Sequence, residues 1–96
     1  MSEHYETVAA SQTDQVLGAV GAAGDYLARL IITVNTAATA AVSIEDATGA
    51  NIPIMPNSPG GGVGVYVVEI GVASKLGGWE VTTGAGSTVL AIGTFT

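Results

Sequence analysis

The chain lacks cysteine and has few charged and few aromatic residues. Of its 96 residues, 10% are charged, with two Lys or Arg against eight Asp or Glu, and 5% are aromatic. Without cysteine there is neither a disulfide framework nor a thiolate metal site. An ordinary soluble domain has about 25% charged residues. The sparse charge therefore indicates that much of the surface faces other protein rather than water.

The charge balance and the hydropathy pattern exclude several partners. The formal net charge is −6, and two basic residues do not form the cationic patch that phosphate binding needs, so we expect no nucleic-acid partner. The longest apolar stretch, 26–44, is interrupted by Arg29 and Asn35 and falls short of the about 20 apolar residues of a membrane helix. The acidic start of the chain is unlike a secretory signal. A cytosolic product without membrane association is therefore expected.

The remaining composition favours β-structure, because apolar and polar residues alternate along several short segments. The clearest strand is predicted over 26–35, with one face formed by Tyr26, Ala28, Leu30, Ile32 and Val34. Further strands are predicted at 15–17, 40–45, 51–55, 64–70, 79–83 and 88–95. Turn signals separate them, which is typical of an all-β fold with about six to eight strands. We predict a small antiparallel β-sandwich that is jelly-roll-like.

One domain is expected in a chain of this length. Residues 1–13 show no periodicity and are predicted to form an extended N-terminal arm, while residues 14–96 form a single β-sandwich domain. The arm holds His4, the only histidine. A general base must be held within hydrogen-bond reach of its target, and there is neither a cysteine nucleophile nor a Gly-x-Ser-x-Gly elbow. We therefore expect no enzymatic activity, no catalytic residue and no cofactor.

The acidic and glycine-rich motifs do not indicate a ligand site. Glu45 and Asp46 are adjacent but lack the Asp-x-Asp-x-Asp-Gly spacing of a calcium loop, so a solvated strand end and no metal are expected. Glu69 and Glu80 could meet as a pair, although an exposed position or pairing with one of the two basic residues is favoured. The glycines at 60–62 fit neither nucleotide-binding pattern. A flexible inter-strand loop is expected there, without a small-molecule ligand.

Trp79, the lone tryptophan, has three possible roles: core filler, carbohydrate-stacking platform or interface anchor. The alternation that follows it favours the core. Tyr66 is the other candidate sugar platform. Large aromatic residues and arginine dominate protein interfaces. The candidate interface residues are therefore Tyr5, Tyr26, Arg29, Pro59, Tyr66 and Trp79.

Four segments, taken together and in order, resemble a family of small virion proteins of tailed bacteriophages. They are 10–15 (ASQTDQ), 24–27 (GDYL), 57–62 (NSPGGG) and 78–86 (GWEVTTGAG). The resemblance covers the chain from about Ala9 onward. It implies a β-sandwich module that serves as a capsid decoration (cement) protein or in another virion appendage, and it supplies no active-site residues.

These observations lead to one hypothesis and two alternatives. We predict a non-enzymatic virion structural protein, made in the host cytoplasm, that binds the outer head surface and stabilises the shell. Its expected partners are further copies of itself, as a homodimer or homotrimer, and the major capsid protein. The alternatives are a tail or fibre-associated virion module and a carbohydrate-binding β-sandwich module.

Overall fold

The computed structural model describes residues 4–57 and 62–96. Within these ranges the predicted all-β class is confirmed: there are eight strands and one short 3-10 turn at Ala37–Thr39. None of the described residues belongs to a helix long and apolar enough to cross a membrane. The strands are β1 (His4–Val8), β2 (Gln15–Val16), β3 (Tyr26–Val34), β4 (Val42–Asp46), β5 (Ile52–Met55), β6 (Gly64–Ala73), β7 (Trp79–Thr83) and β8 (Ser87–Thr94).

The strands form two antiparallel sheets of four strands each. Sheet A has the order β1-β8-β3-β6 and sheet B the order β2-β7-β4-β5. The first strand pairs with the eighth, the second with the seventh, the third with the sixth and the fourth with the fifth. Two further pairings, β3 with β8 and β4 with β7, join these pairs into sheets.

One hydrophobic cluster is shared by the two sheets. Because successive strand residues point to opposite faces, every second residue of the central strands enters this cluster. Members from sheet A include Val8, Leu30, Ile32, Val89 and Ala91, and members from sheet B include Val42, Ile44, Trp79 and Val81. Each of these is at most 4% exposed. The intervening residues are left on the outer faces of the two sheets.

Strand β3 departs from simple alternation near its start. Its register with both neighbours shifts between Leu27 and Arg29, so that Ala28 lies at a bulge. Leu27 is fully buried whereas Tyr26 is 38% exposed. The prediction that Tyr26 shares a face with Leu30 and Ile32 is therefore wrong, because a bulge inserts an extra residue and reverses the sides of the residues before it. Beyond the bulge the predicted alternation is confirmed.

The start of the chain is integrated into sheet A. Residues His4–Val8 form β1 and pair with β8. Val8 is buried, and the Glu6 carboxylate accepts hydrogen bonds from Gln15 Nε2 at 3.0 Å and from the Gly18 backbone N–H at 2.7 Å. The predicted arm over 1–13 is therefore not confirmed over the part of it that the structure describes. With one buried residue in five, this edge strand has too weak a pattern to be recognised from sequence.

Candidate functional site: the outer faces of the two sheets

The outer face of sheet A consists of three rows of side chains that cross the strands. Leu30, Ile32 and Val89 point into the core, so their strand neighbours point outward. The rows are Tyr5, Ile92, Arg29 and Glu69; then Thr7, Leu90, Ile31 and Val67; then Thr88, Thr33 and Val65. We call these residues the A face.

The A face is a contiguous, mostly apolar surface. Tyr5 is 72% exposed, and Val65 and Val67 at the opposite edge are 64% and 60% exposed. The branched residues on the central strands β3 and β8 are half-buried. Two shallow depressions lie on this side of the sheet, one above Ile31 and Thr33 and one beside Tyr5. Single exposed apolar residues are ordinary, but a contiguous patch indicates an interaction surface.

Arg29 and Glu69 carry the two charges of the A face and neutralise each other. Arg29 Nε donates a hydrogen bond to Glu69 Oε2 at 3.0 Å. This confirms that Glu69 pairs with a basic residue. Because the pair sums to zero, the residues of the A face carry no net charge.

The outer face of sheet B is acidic. Glu45 and Glu80 are cross-strand neighbours on β4 and β7, and ligand oxygens of Asp14, Glu45 and Glu80 lie within 4.8 Å of one another. Burial raises the pKa of Glu80, and the negative charges of Asp14 and Glu45 raise it further. We call the B face the set Asp14, Val16, Ser43, Glu45, Glu80 and Thr82.

The three carboxylates do not by themselves make a calcium loop. Calcium takes about six to eight oxygen ligands, and one oxygen of Asp14 already accepts a hydrogen bond from Thr82 Oγ1 at 3.1 Å. Sequence reasoning missed this cluster because Asp14, Glu45 and Glu80 come from separate segments that only the strand register brings together. The other pair considered, Glu69 and Glu80, lies on two different sheets.

Asp46, expected at a solvated strand end, fixes the connection between β6 and β7. Its carboxylate accepts hydrogen bonds from the backbone N–H groups of Lys75 at 2.7 Å, Leu76 at 3.1 Å and Gly77 at 3.3 Å. Adjacent carboxylates therefore have different roles. Glu45 belongs to the B face, whereas Asp46 satisfies backbone donors in a turn.

The residues predicted as interface candidates do not form one site. Tyr5 and Arg29 lie in the same row of the A face. Tyr26 is exposed at the start of β3. Tyr66 is half-buried against the core and donates its hydroxyl hydrogen to the Gly62 backbone oxygen at 2.6 Å. Pro59 lies outside the described residues.

Trp79 is a core residue, as the alternation favoured. It is 4% exposed and belongs to the shared cluster. Its indole N–H donates to the Asp25 backbone oxygen at 3.1 Å, which satisfies the one polar atom of the ring. A buried indole offers no flat surface on which a sugar could stack, and none with which to anchor another protein.

Sequence reasoning missed the branched residues of the A face. The segment 88–95 contained a usable signal, since Leu90 and Ile92 alternate with the small residues Ala91 and Gly93. Small residues on the inner side leave the bulky ones on the outer side. The missed residues are Ile31, Val65, Val67, Leu90 and Ile92.

Comparison with known proteins identified no relative. No protein-family model matches the chain, and no curated protein matches it either. The functional interpretation therefore rests on the chemistry of the A and B faces, together with the resemblance of the four sequence segments.

Proposed function

We propose that the chain is a non-enzymatic structural protein of a bacteriophage virion, and specifically a decoration protein of the head. It binds the outer surface of the capsid, contacts the major capsid protein and stabilises the shell. It is made in the host cytoplasm and is located on the virion surface. The observation that carries this proposal is the A face, a mostly apolar outer surface without net charge on a small chain. The segments that resemble small virion proteins support the same class.

The proposed fold is a jelly-roll β-sandwich. The pairings β1 with β8, β2 with β7, β3 with β6 and β4 with β5 are those of one long hairpin. Wrapping that hairpin places β8 beside β3 and β7 beside β4. Eight strands arranged as two Greek keys define a jelly roll, an architecture used in viral capsid and lectin domains. The single cluster between the sheets supports a sandwich.

The mechanism is mechanical rather than chemical. Each bound copy contacts neighbouring shell subunits, so their separation requires the loss of the contacts that the copy makes. Burial of apolar surface contributes about 25 cal/mol per Å² to such contacts. Many copies acting together raise the force that the shell withstands from packaged DNA.

The test is binding to empty heads of the phage that encodes the chain, prepared without it. We expect saturable co-sedimentation with the heads and a higher temperature of head disruption. Binding to isolated tails but not to heads would contradict the decoration role in favour of a tail or fibre module. Competition by soluble glycans for the bound protein would instead favour the carbohydrate-binding alternative.

A further inference from the structure

We infer that the A face is the surface through which a second copy of this chain binds the first. The assignment rests on the proposed assembly function and names the surface that the assembly uses. Three features of the described residues carry it: the distribution of charge, the arrangement of the Arg29–Glu69 pair, and the exposed valines of the edge strand at its border.

Charge favours a second copy as the occupant of the A face. The chain carries a formal charge of −6, and any two copies repel each other through their acidic surfaces. Contact through the B face would set Asp14, Glu45 and Glu80 against the same cluster of the other copy, which is strongly unfavourable. The A face carries Arg29 and Glu69 as a neutral pair. Of the two outer faces, the A face is therefore the one through which two acidic copies approach with the smaller electrostatic repulsion.

The same pair makes the A face self-complementary. A two-fold interface sets the same patch of one subunit against that of the other. Arg29 on β3 and Glu69 on β6 are direct cross-strand neighbours. A two-fold axis that lies in the interface and runs along the strands between them places each Arg29 opposite the Glu69 of the other copy. The two copies then form complementary charge contacts without any additional residue.

The A face has the composition of an interface. With the axis between β3 and β6, the ion pair lies at the centre of the interface, and Ile31 on β3 and Val67 on β6 lie beside it. Leu90 on β8 lies one strand further from the axis. Apolar residues and arginine are enriched in the centres of protein interfaces.

Strand β6 borders the A face with an edge that has little protection. The edge strands of sheet B are short or contain proline: β2 has two residues, and β5 includes Pro53. In contrast, β6 has ten residues without proline, and no strand in the described part of the chain pairs with its outer edge. Proteins normally shorten, charge or cover such an edge. A second copy on the A face stacks on the sheet and leaves this backbone edge unpaired, but it covers the exposed side chains of Val65 and Val67 on the same strand.

The test compares two matched pairs of variants by multi-angle light scattering after size-exclusion chromatography. Val67→Glu and Leu90→Glu place a charge on the A face. Val20→Glu and Leu76→Glu make the same substitutions at positions that are 76% and 63% exposed outside both faces. We expect the wild-type chain and both controls to have a mass of at least twice the 9.5 kDa of one copy. Val67→Glu, beside the axis, should weaken association by about tenfold or more. Leu90→Glu, one strand further from the axis, should weaken it less, and circular dichroism verifies the folding of both variants.

Several results would overturn the assignment. A wild-type mass of 9.5 kDa at every concentration, or a wild-type mass for folded Val67→Glu, contradicts it. Val67 is 60% exposed, so this variant remains informative if Leu90→Glu does not fold. A monomeric wild type whose head binding is abolished by Val67→Glu would assign the A face to the shell subunit instead. An oligomer that Val67→Glu disrupts, from a wild type that binds no heads, would contradict the decoration role and support the self-association surface.

Discussion

The two outer faces of this molecule lie over one core and differ sharply in chemistry. The A face presents Ile, Leu, Val and Thr around a neutral ion pair. The B face gathers three carboxylates within 4.8 Å. The inner faces of both sheets contribute similar apolar residues to the shared cluster. The contrast between the two sheets is therefore confined to their outer faces.

The sparse charge of the chain is unevenly distributed. Three of its eight acidic residues, Asp14, Glu45 and Glu80, cluster on the B face, while the one carboxylate of the A face is paired with Arg29. A mutually repelling B face keeps copies apart in one orientation, and a neutral A face permits another. Of the two outer faces, the A face is therefore the one expected to contact other protein.

The largest loss of stability is expected from truncating a side chain on the inner side of sheet A rather than one on its outer side. Leu30 is fully buried, and Leu30→Ala should lower the free energy of unfolding by about 2–5 kcal/mol, because it leaves a cavity in the core. Leu90 lies on the outer side, and Leu90→Ala should cost about 1 kcal/mol or less in dilute protein. Urea denaturation of both variants checks this. Equal losses would mean that the two sides of the sheet are not distinct.

A smaller change in stability is expected from substituting, one at a time, the adjacent carboxylates Glu45 and Asp46 of sheet B. Asp46→Ala removes the acceptor of three backbone N–H groups and should destabilise the fold by about 1–2 kcal/mol. Glu45→Ala is the matched control, and it should be neutral or stabilising because it relieves repulsion with Glu80. Thermal unfolding at neutral pH measures both. A larger loss from Glu45→Ala would contradict these roles.

A still smaller change in stability is expected with pH, and it arises from Glu80 on the B face. Burial and the nearby Asp14 and Glu45 raise the pKa of Glu80 above its ordinary value of 4.5. The folded chain therefore holds this proton more tightly than the unfolded chain, and stability falls as pH rises from the ordinary value through the raised one. Glu80→Gln removes that loss. We expect a higher unfolding temperature than wild type at neutral pH and a similar one in acid.

The control for this measurement removes an equal charge from the other face. Glu69→Gln should not raise the unfolding temperature at neutral pH, because Glu69 has a favourable partner in Arg29. If both variants stabilise the chain alike, the effect is one of net charge, and the proximity of the three B-face carboxylates is not its cause.

The smallest effect is expected from breaking the ion pair of the A face in the isolated chain. The Glu69 side chain is 67% exposed, and exposed pairs contribute about 0–1 kcal/mol. Glu69→Gln should therefore cost no more than this, and added salt should reduce the difference from wild type. Unfolding curves at low and high salt measure it. A loss of more than about 2 kcal/mol would show that the pair is structural.

Local alternation made much of the fold predictable. The strand predicted at 79–83 has the bounds of β7, and the strand predicted at 40–45 overlaps β4, in which Val42 and Ile44 are buried. Strand β1 was missed because only one of its five residues is buried, so its sequence shows no alternation of apolar and polar residues. The bulge at Ala28 was missed because it depends on the registers of β3 with two other strands.

The candidate site was less predictable than the fold. Residue type singled out Tyr5 and Arg29, since aromatic residues and arginine are enriched at interfaces. The branched residues of the A face are ordinary strand residues by type. They become a surface only when distant strands align, as when Thr7 on β1 pairs with Leu90 on β8. The acidic cluster depends in the same way on the pairing of Glu45 with Glu80.

The most direct test of the central claim is sedimentation equilibrium of the wild-type chain and Val67→Glu side by side over a wide concentration range. The claim that copies associate through the A face predicts that the wild-type mass rises to a multiple of 9.5 kDa. It also predicts that the variant remains at the monomer mass at concentrations where the wild type is assembled. Superimposable curves for the two proteins would contradict it.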